Sequence, residues 1–116
     1  MNARDAQAHR ADDPAQALSA FADHAWDERI VPALRSYIEI PAKSPMFDAQ
    51  WQQHGHLDRV TRDAAASVES RCVAGLKLEL IRIDGRTPLI VFEVPATKAG
   101  STDTVVMYGH LDKQPE

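Results

Sequence analysis

With 116 residues and 44% hydrophobic content, the chain is long enough for one buried core, since a domain of this size removes roughly two-thirds of its unfolded surface from water. Charged residues make up 26%, with 13 Lys+Arg against 17 Asp+Glu and a formal net charge of -4. That balance excludes a charge-rich disordered chain and has the wrong sign for a nucleic-acid or anionic-membrane surface. A single cysteine, Cys72, excludes a disulfide-stapled secreted scaffold.

Residues 1–13 are polar and aperiodic, and read as a disordered tail. They carry Asp5, Asp12 and Asp13 and no apolar run, so they do not form a signal peptide. The apolar runs at 89–92 and 105–108 fall far short of the ~20 residues that span a bilayer. The cytoplasm is the expected location.

Asp13-Pro14 reads as an N-cap followed by proline at the first helical position. Behind it Leu18, Phe21, Ala22, Ala25, Ile30, Leu34, Tyr37 and Ile38 recur at helical spacing. Pro32 removes one helix hydrogen bond and crowds the preceding turn. The pattern therefore predicts either a kinked helix over about 14–40 or two helices meeting near Pro32. Residues 41–55 form a long loop of the kind that often shapes a site. A second helix follows over about 56–74, with Leu57, Val60, Ala64, Val68 and Cys72 as its apolar stripe and Gly75 as its stop.

The period then changes to two. Leu76, Leu78 and Leu80 alternate with Lys77 and Glu79, Asp84-Gly85 marks a turn, and residues 89–94 form a second strand closed by Pro95. The pair reads as an antiparallel hairpin. Residues 104–108 (Thr-Val-Val-Met-Tyr) form a continuously apolar run, the type buried on both faces of an α/β sheet. The fold class expected is α/β, ordered as helix, helix, β-hairpin and buried strand.

Gly109, His110 and Asp112 follow that run. Ligands of open α/β sheets bind beyond the carboxyl ends of the strands, and a histidine there offers the commonest protein metal ligand. In an extended backbone, side chains two apart share a side, so Asp112 is placed to hold the second nitrogen of His110 and fix its tautomer. The tetrapeptide Gly-His-Leu-Asp also occurs at 55–58, where it opens an amphipathic helix and nothing sets His56 in a crevice. Position after an apolar strand, more than the four letters, carries the signal. The plainer reading of His110 is a loop histidine held by a hydrogen bond.

Other candidates have structural readings. His9 falls in the tail and His24 on an exposed helix face; His54 and His56 could chelate weakly as a His-x-His pair but read first as solvated loop histidines. Trp26 and Trp51 read as amphipathic packing and Cys72 as core. Glu79, Arg82 and Glu93 read as solvated strand faces. Gly-rich phosphate loops, nucleophile elbows and paired Cys-x-x-Cys motifs do not occur.

Residues 105–116 (Val-Val-Met-Tyr-Gly-His-Leu-Asp-Lys-Gln-Pro-Glu) resemble the first metal-ligand motif of the M20 metallopeptidases, an apolar strand followed by Gly-His-x-Asp-x-x-Pro. That family includes carnosinase-type dipeptidases, glutamate carboxypeptidases and acetylornithine deacetylase. Residues 26–44, ending in Ile-Pro-Ala-Lys-Ser, resemble the opening helix of the dipeptidase and carboxypeptidase branch. The resemblance covers about residues 18–116. It implies that 14–116 is the truncated N-terminal segment of a metallopeptidase catalytic domain with an incomplete sheet. It also implies a zinc cofactor, His110 as the first metal ligand, and Asp112 as the catalytic-site carboxylate that supports it. The implied substrate is a dipeptide or an N-acyl amino acid. The family's bridging Asp, general-base Glu and further ligands lie downstream of this motif, so the isolated chain is expected to be inactive, to bind zinc weakly, and to self-associate through an exposed strand edge. The alternative is a self-contained α/β binding or interaction module in which His110 has no catalytic role.

Overall fold

The computed structural model describes residues 13–115. Except for Asp13, the expected tail over 1–13 lies outside the described residues. The chain divides into two compact units, one ending at Glu39 and the other beginning at Ile40.

In the first unit the Asp13 side chain accepts from the Ala15 N–H at 3.0 Å. This caps helix α1 (Pro14–Ala25), with Pro14 in the first turn where a missing N–H costs nothing. Between α1 and helix α2 (Val31–Glu39) the backbone widens into a π turn, Trp26–Ile30, closed by the Val31 N–H on the Trp26 carbonyl. Pro32 explains the position. Its ring crowds the turn before it and it offers no N–H to that turn's carbonyls, and a π bulge accommodates such a local mismatch without ending the helix. The helix is therefore interrupted around Pro32 but not broken. Ala25 is buried, whereas Leu18, Phe21 and Ile38 lie mostly exposed. Trp26 is also exposed, contrary to its reading as a packing residue. The Arg29 guanidinium sits 5.6 Å over the Phe21 ring.

In the second unit, residues 41–55 are more ordered than a plain loop. A turn at Ser44 leads into a short helix, α3 (Trp51–His54). Gly55 then adopts the left-handed conformation at φ 68° and starts helix α4 (His56–Glu69). Helix α4 packs against the hairpin. Leu57, Val60, Thr61 and Ala65 form its buried face, and the Thr61 hydroxyl donates to the Leu57 carbonyl at 2.7 Å. That bond satisfies a hydroxyl which would otherwise be costly to bury. The hairpin consists of β1 (Lys77–Ile81) and β2 (Leu89–Glu93), antiparallel, with Lys77 opposite Glu93 and Ile81 opposite Leu89.

Two sequence expectations are corrected here. Helix α4 ends at Glu69, not near 74, and Cys72 stands exposed in the following turn with φ 51°. Once the chain leaves helical geometry the 3.6-residue stripe no longer applies, so Cys72 is not core. Residues 104–108 are not a buried strand: they belong to no ladder, and Val105, Val106, Met107 and Tyr108 are 86–92% exposed. A strand exists through its neighbours, and among the described residues the sheet has two strands that pair with each other. The chain finds its partner farther on, at Lys113, which forms a parallel bridge with Lys43. The architecture is thus a mixed helix and sheet arrangement of the small α/β kind. Among the described residues no helix is long and apolar enough to cross a membrane.

Candidate functional site

The Lys43–Lys113 bridge brings together two segments 70 residues apart in sequence. The Ser44 N–H donates to the Lys113 carbonyl at 2.9 Å, and the Lys113 N–H donates to the Ala42 carbonyl at 2.9 Å. The Lys113 ammonium also donates to the Ile40 carbonyl. Ile40 and Ala42 are buried beneath this junction, and burial holds the Lys113 ammonium below the usual lysine range. The Ile-Pro-Ala-Lys-Ser segment and the Gly-His-Leu-Asp-Lys segment are therefore one local structure.

Just before the junction, His110 Nδ1 lies 3.0 Å from Asp112 Oδ1 and 3.0 Å from the Asp112 carbonyl oxygen. Both oxygens accept only, so a neutral His110 carries its proton on Nδ1 and its lone pair on Nε2. A carboxylate behind an imidazole in this way fixes its tautomer and raises its basicity, the arrangement typical of metal-ligating histidines. Asp112 is more enclosed than His110, with side-chain exposures of 30% and 60%. The acceptor is thus the better-anchored partner. Gly109 has no left-handed φ, and a Cβ there would meet open space.

The first Gly-His-Leu-Asp copy behaves differently. Asp58 turns away from His56 and receives Arg62 Nη1 at 2.6 Å on Oδ2 and Arg82 Nη2 at 2.7 Å on Oδ1. Arg82 Nε adds a second bond to Oδ1 at 3.0 Å. Arg82 is therefore a tie between the hairpin and α4 and not merely a solvated strand residue. An open cavity of about 250 Å³ beside this tie is lined by Trp51, Arg82, Arg86 and Pro88.

A further constellation adds Asp48, which was not singled out from the sequence, to the His54 and His56 pair, which was. Asp48 Oδ1 accepts from the Gln50 N–H at 3.1 Å, and Asp48 Oδ2 faces His54 Nδ1 at 2.8 Å. The His54 hydrogen bond holds the Asp48 carboxyl below its ordinary range. His54 and His56 line one cavity of about 270 Å³ with Pro41, Lys43, Phe47 and Asp48, so His56 does face a crevice. The spacing Asp48-x₅-His54-x-His56 held that signal, but joining it required knowing that a helical turn spans 51–54. Among the described residues, no group of three or more His, Cys, Asp and Glu side chains is placed to hold a metal ion. No family model matches the chain, and no curated protein matches it.

Proposed function

We propose that the chain is the N-terminal segment of a zinc-dependent hydrolase of the M20 metallopeptidase type, acting in the cytoplasm on dipeptides or N-acyl amino acids. The observation that carries this reading is the His110–Asp112 pair at 3.0 Å, set beside the junction that joins the two segments resembling that family. One metal ligand with a supporting carboxylate fits the donor chemistry of a zinc site, where three protein ligands and an open position are usual. His110 supplies one donor through Nε2. Asp112 keeps the proton on Nδ1 and stabilises positive charge that develops on the ring. Lys113 anchors the segment on the C-terminal side of His110, through its ammonium on the Ile40 carbonyl and its backbone pairing with Ala42 and Ser44. When bound, zinc acts as a Lewis acid toward the scissile carbonyl.

The test is hydrolysis of a dipeptide panel by the full-length protein supplied with zinc. The His110→Ala variant is expected to lose on the order of 10³-fold or more in kcat/KM, because a direct ligand is removed. Asp112→Asn keeps the shape but loses the charge, and is expected to weaken zinc affinity about 10–100-fold. Wild-type hydrolysis undiminished in His110→Ala would refute this reading and favour a self-contained binding module. The sequence predicts self-association through a strand edge; with no strand at 104–108, the same proposal places it on the exposed apolar residues 105–108, and a monomeric sedimentation profile at all concentrations would count against it.

A further inference from the structure

The geometry points to a second, separate divalent-metal site on this chain, built from His54 and His56 with Asp48 as the carboxylate behind it. The backbone makes the pairing possible. In an uninterrupted helix two residues two apart project roughly 200° around the axis and cannot share a ligand. Here His54 ends α3, His56 begins α4, and Gly55 between them sits at φ 68°, ψ 8°. That single left-handed residue turns the chain and brings both rings to the same cavity.

The ring geometry suits one ion. The two centroids stand 5.7 Å apart with planes 35° from parallel. At Zn–N distances of about 2.0–2.1 Å, two imidazoles on a tetrahedral or trigonal metal place their ring centres roughly 5–6 Å apart. Asp48 is already committed to orientation. Its Oδ1 accepts from Gln50 and its Oδ2 from His54, so it fixes the Nδ1–H tautomer and leaves His54 Nε2 as the donor. Asp48 is the enclosed partner, with 15% side-chain exposure against 45% for His54. Two imidazoles provide half of a tetrahedral set, and water completes it. Lys43 lines the same cavity, and its positive charge opposes a cation, which keeps the affinity modest. Zn²⁺ and Cu²⁺, which favour imidazole, are the ions this chemistry selects over Mg²⁺ or Ca²⁺.

The site shares no residue with the His110 pair, so the two proposals fail independently. The test is titration of the chain with Zn²⁺ alone in a non-coordinating buffer, following the imidazole resonances of each histidine. His54 and His56 are expected to shift together and saturate at one ion per chain, while His110→Ala leaves that transition unchanged. His56→Ala is expected to weaken it at least tenfold, and Asp48→Asn about tenfold. His54→Gln, which keeps a polar side chain at the end of α3, is expected to abolish it. Shifts confined to His110, or a His54 and His56 transition insensitive to these substitutions, would overturn the assignment.

Discussion

The same four residues, Gly-His-Leu-Asp, occupy 55–58 and 109–112, and the structure gives the glycine, leucine and aspartate different tasks in the two places. At 55–58 the glycine is left-handed, the leucine is buried at 4% exposure, and the aspartate ties two arginines. At 109–112 the glycine has no left-handed φ, the leucine is half-buried, and the aspartate returns to its own histidine. Helical geometry separates residues two apart, whereas the extended backbone sets them side by side. What a short motif does is thus decided by the backbone that carries it. The His-Asp contact forms only in the copy that lies outside a helix.

The leucines offer the largest contrast. Leu57→Ala removes a buried side chain of α4 and is expected to cost about 2–5 kcal/mol. Leu111→Ala removes one that is already partly in water and is expected to cost under about 1.5 kcal/mol, a fraction of full leucine burial. Urea unfolding at constant m-value measures both. Equal losses would show that the second copy is packed as firmly as the first.

The glycines come next. Neither Gly55 nor Gly109 has a heavy atom within 4 Å of where a Cβ would stand, so any difference is conformational and not steric. Gly55→Ala forces a β-carbon into the left-handed region and is expected to cost about 1–2 kcal/mol. Because Gly55 also sets His54 against His56, the same variant is expected to weaken zinc-induced shifts at both. Gly109→Ala is expected to lie between neutral and about 1 kcal/mol stabilising, since it only narrows the unfolded ensemble. A Gly109→Ala variant as destabilised as Gly55→Ala, by thermal melting, would mean that the two backbones are alike.

The same contrast explains what the sequence did and did not disclose. Local signals were legible: Asp13-Pro14 caps α1, the 3.6-residue stripe places Leu57 and Val60 inside, and period-two alternation with Asp84-Gly85 marks the hairpin. The proximity of His110 and Asp112 could also be read, because an i, i+2 relation in extended chain needs no tertiary information. Non-local pairing could not. The apolar run at 104–108 resembles a buried strand, but apolarity does not name a partner, and the chain instead pairs at Lys113. The Asp48–His54 contact depends on a helical turn within a segment whose composition suggested only a loop, and Arg82 became a tie only once Asp58 was placed across from it.

The aspartates give the smallest and most diagnostic contrast. Asp58 lies in the first turn of α4, where a negative charge complements the helix N-terminus. It meets Arg62 one turn on and Arg82 from the hairpin. Its side chain and both guanidinium groups are partly exposed, so each pair is worth a few tenths of a kcal/mol to about 1 kcal/mol. Asp58→Asn is expected to cost roughly 1 kcal/mol in low salt. The loss should shrink at 1 M salt, where screening shortens to about 3 Å. In Asp112→Asn the amide oxygen can still accept from His110 Nδ1. The substitution is therefore expected to cost less than about 0.5 kcal/mol, with little salt dependence, while still weakening zinc binding at His110. Chemical denaturation of both variants in low and high salt distinguishes these behaviours. A salt-sensitive loss in Asp112→Asn equal to that in Asp58→Asn would show that the second aspartate, too, serves the fold and not the histidine.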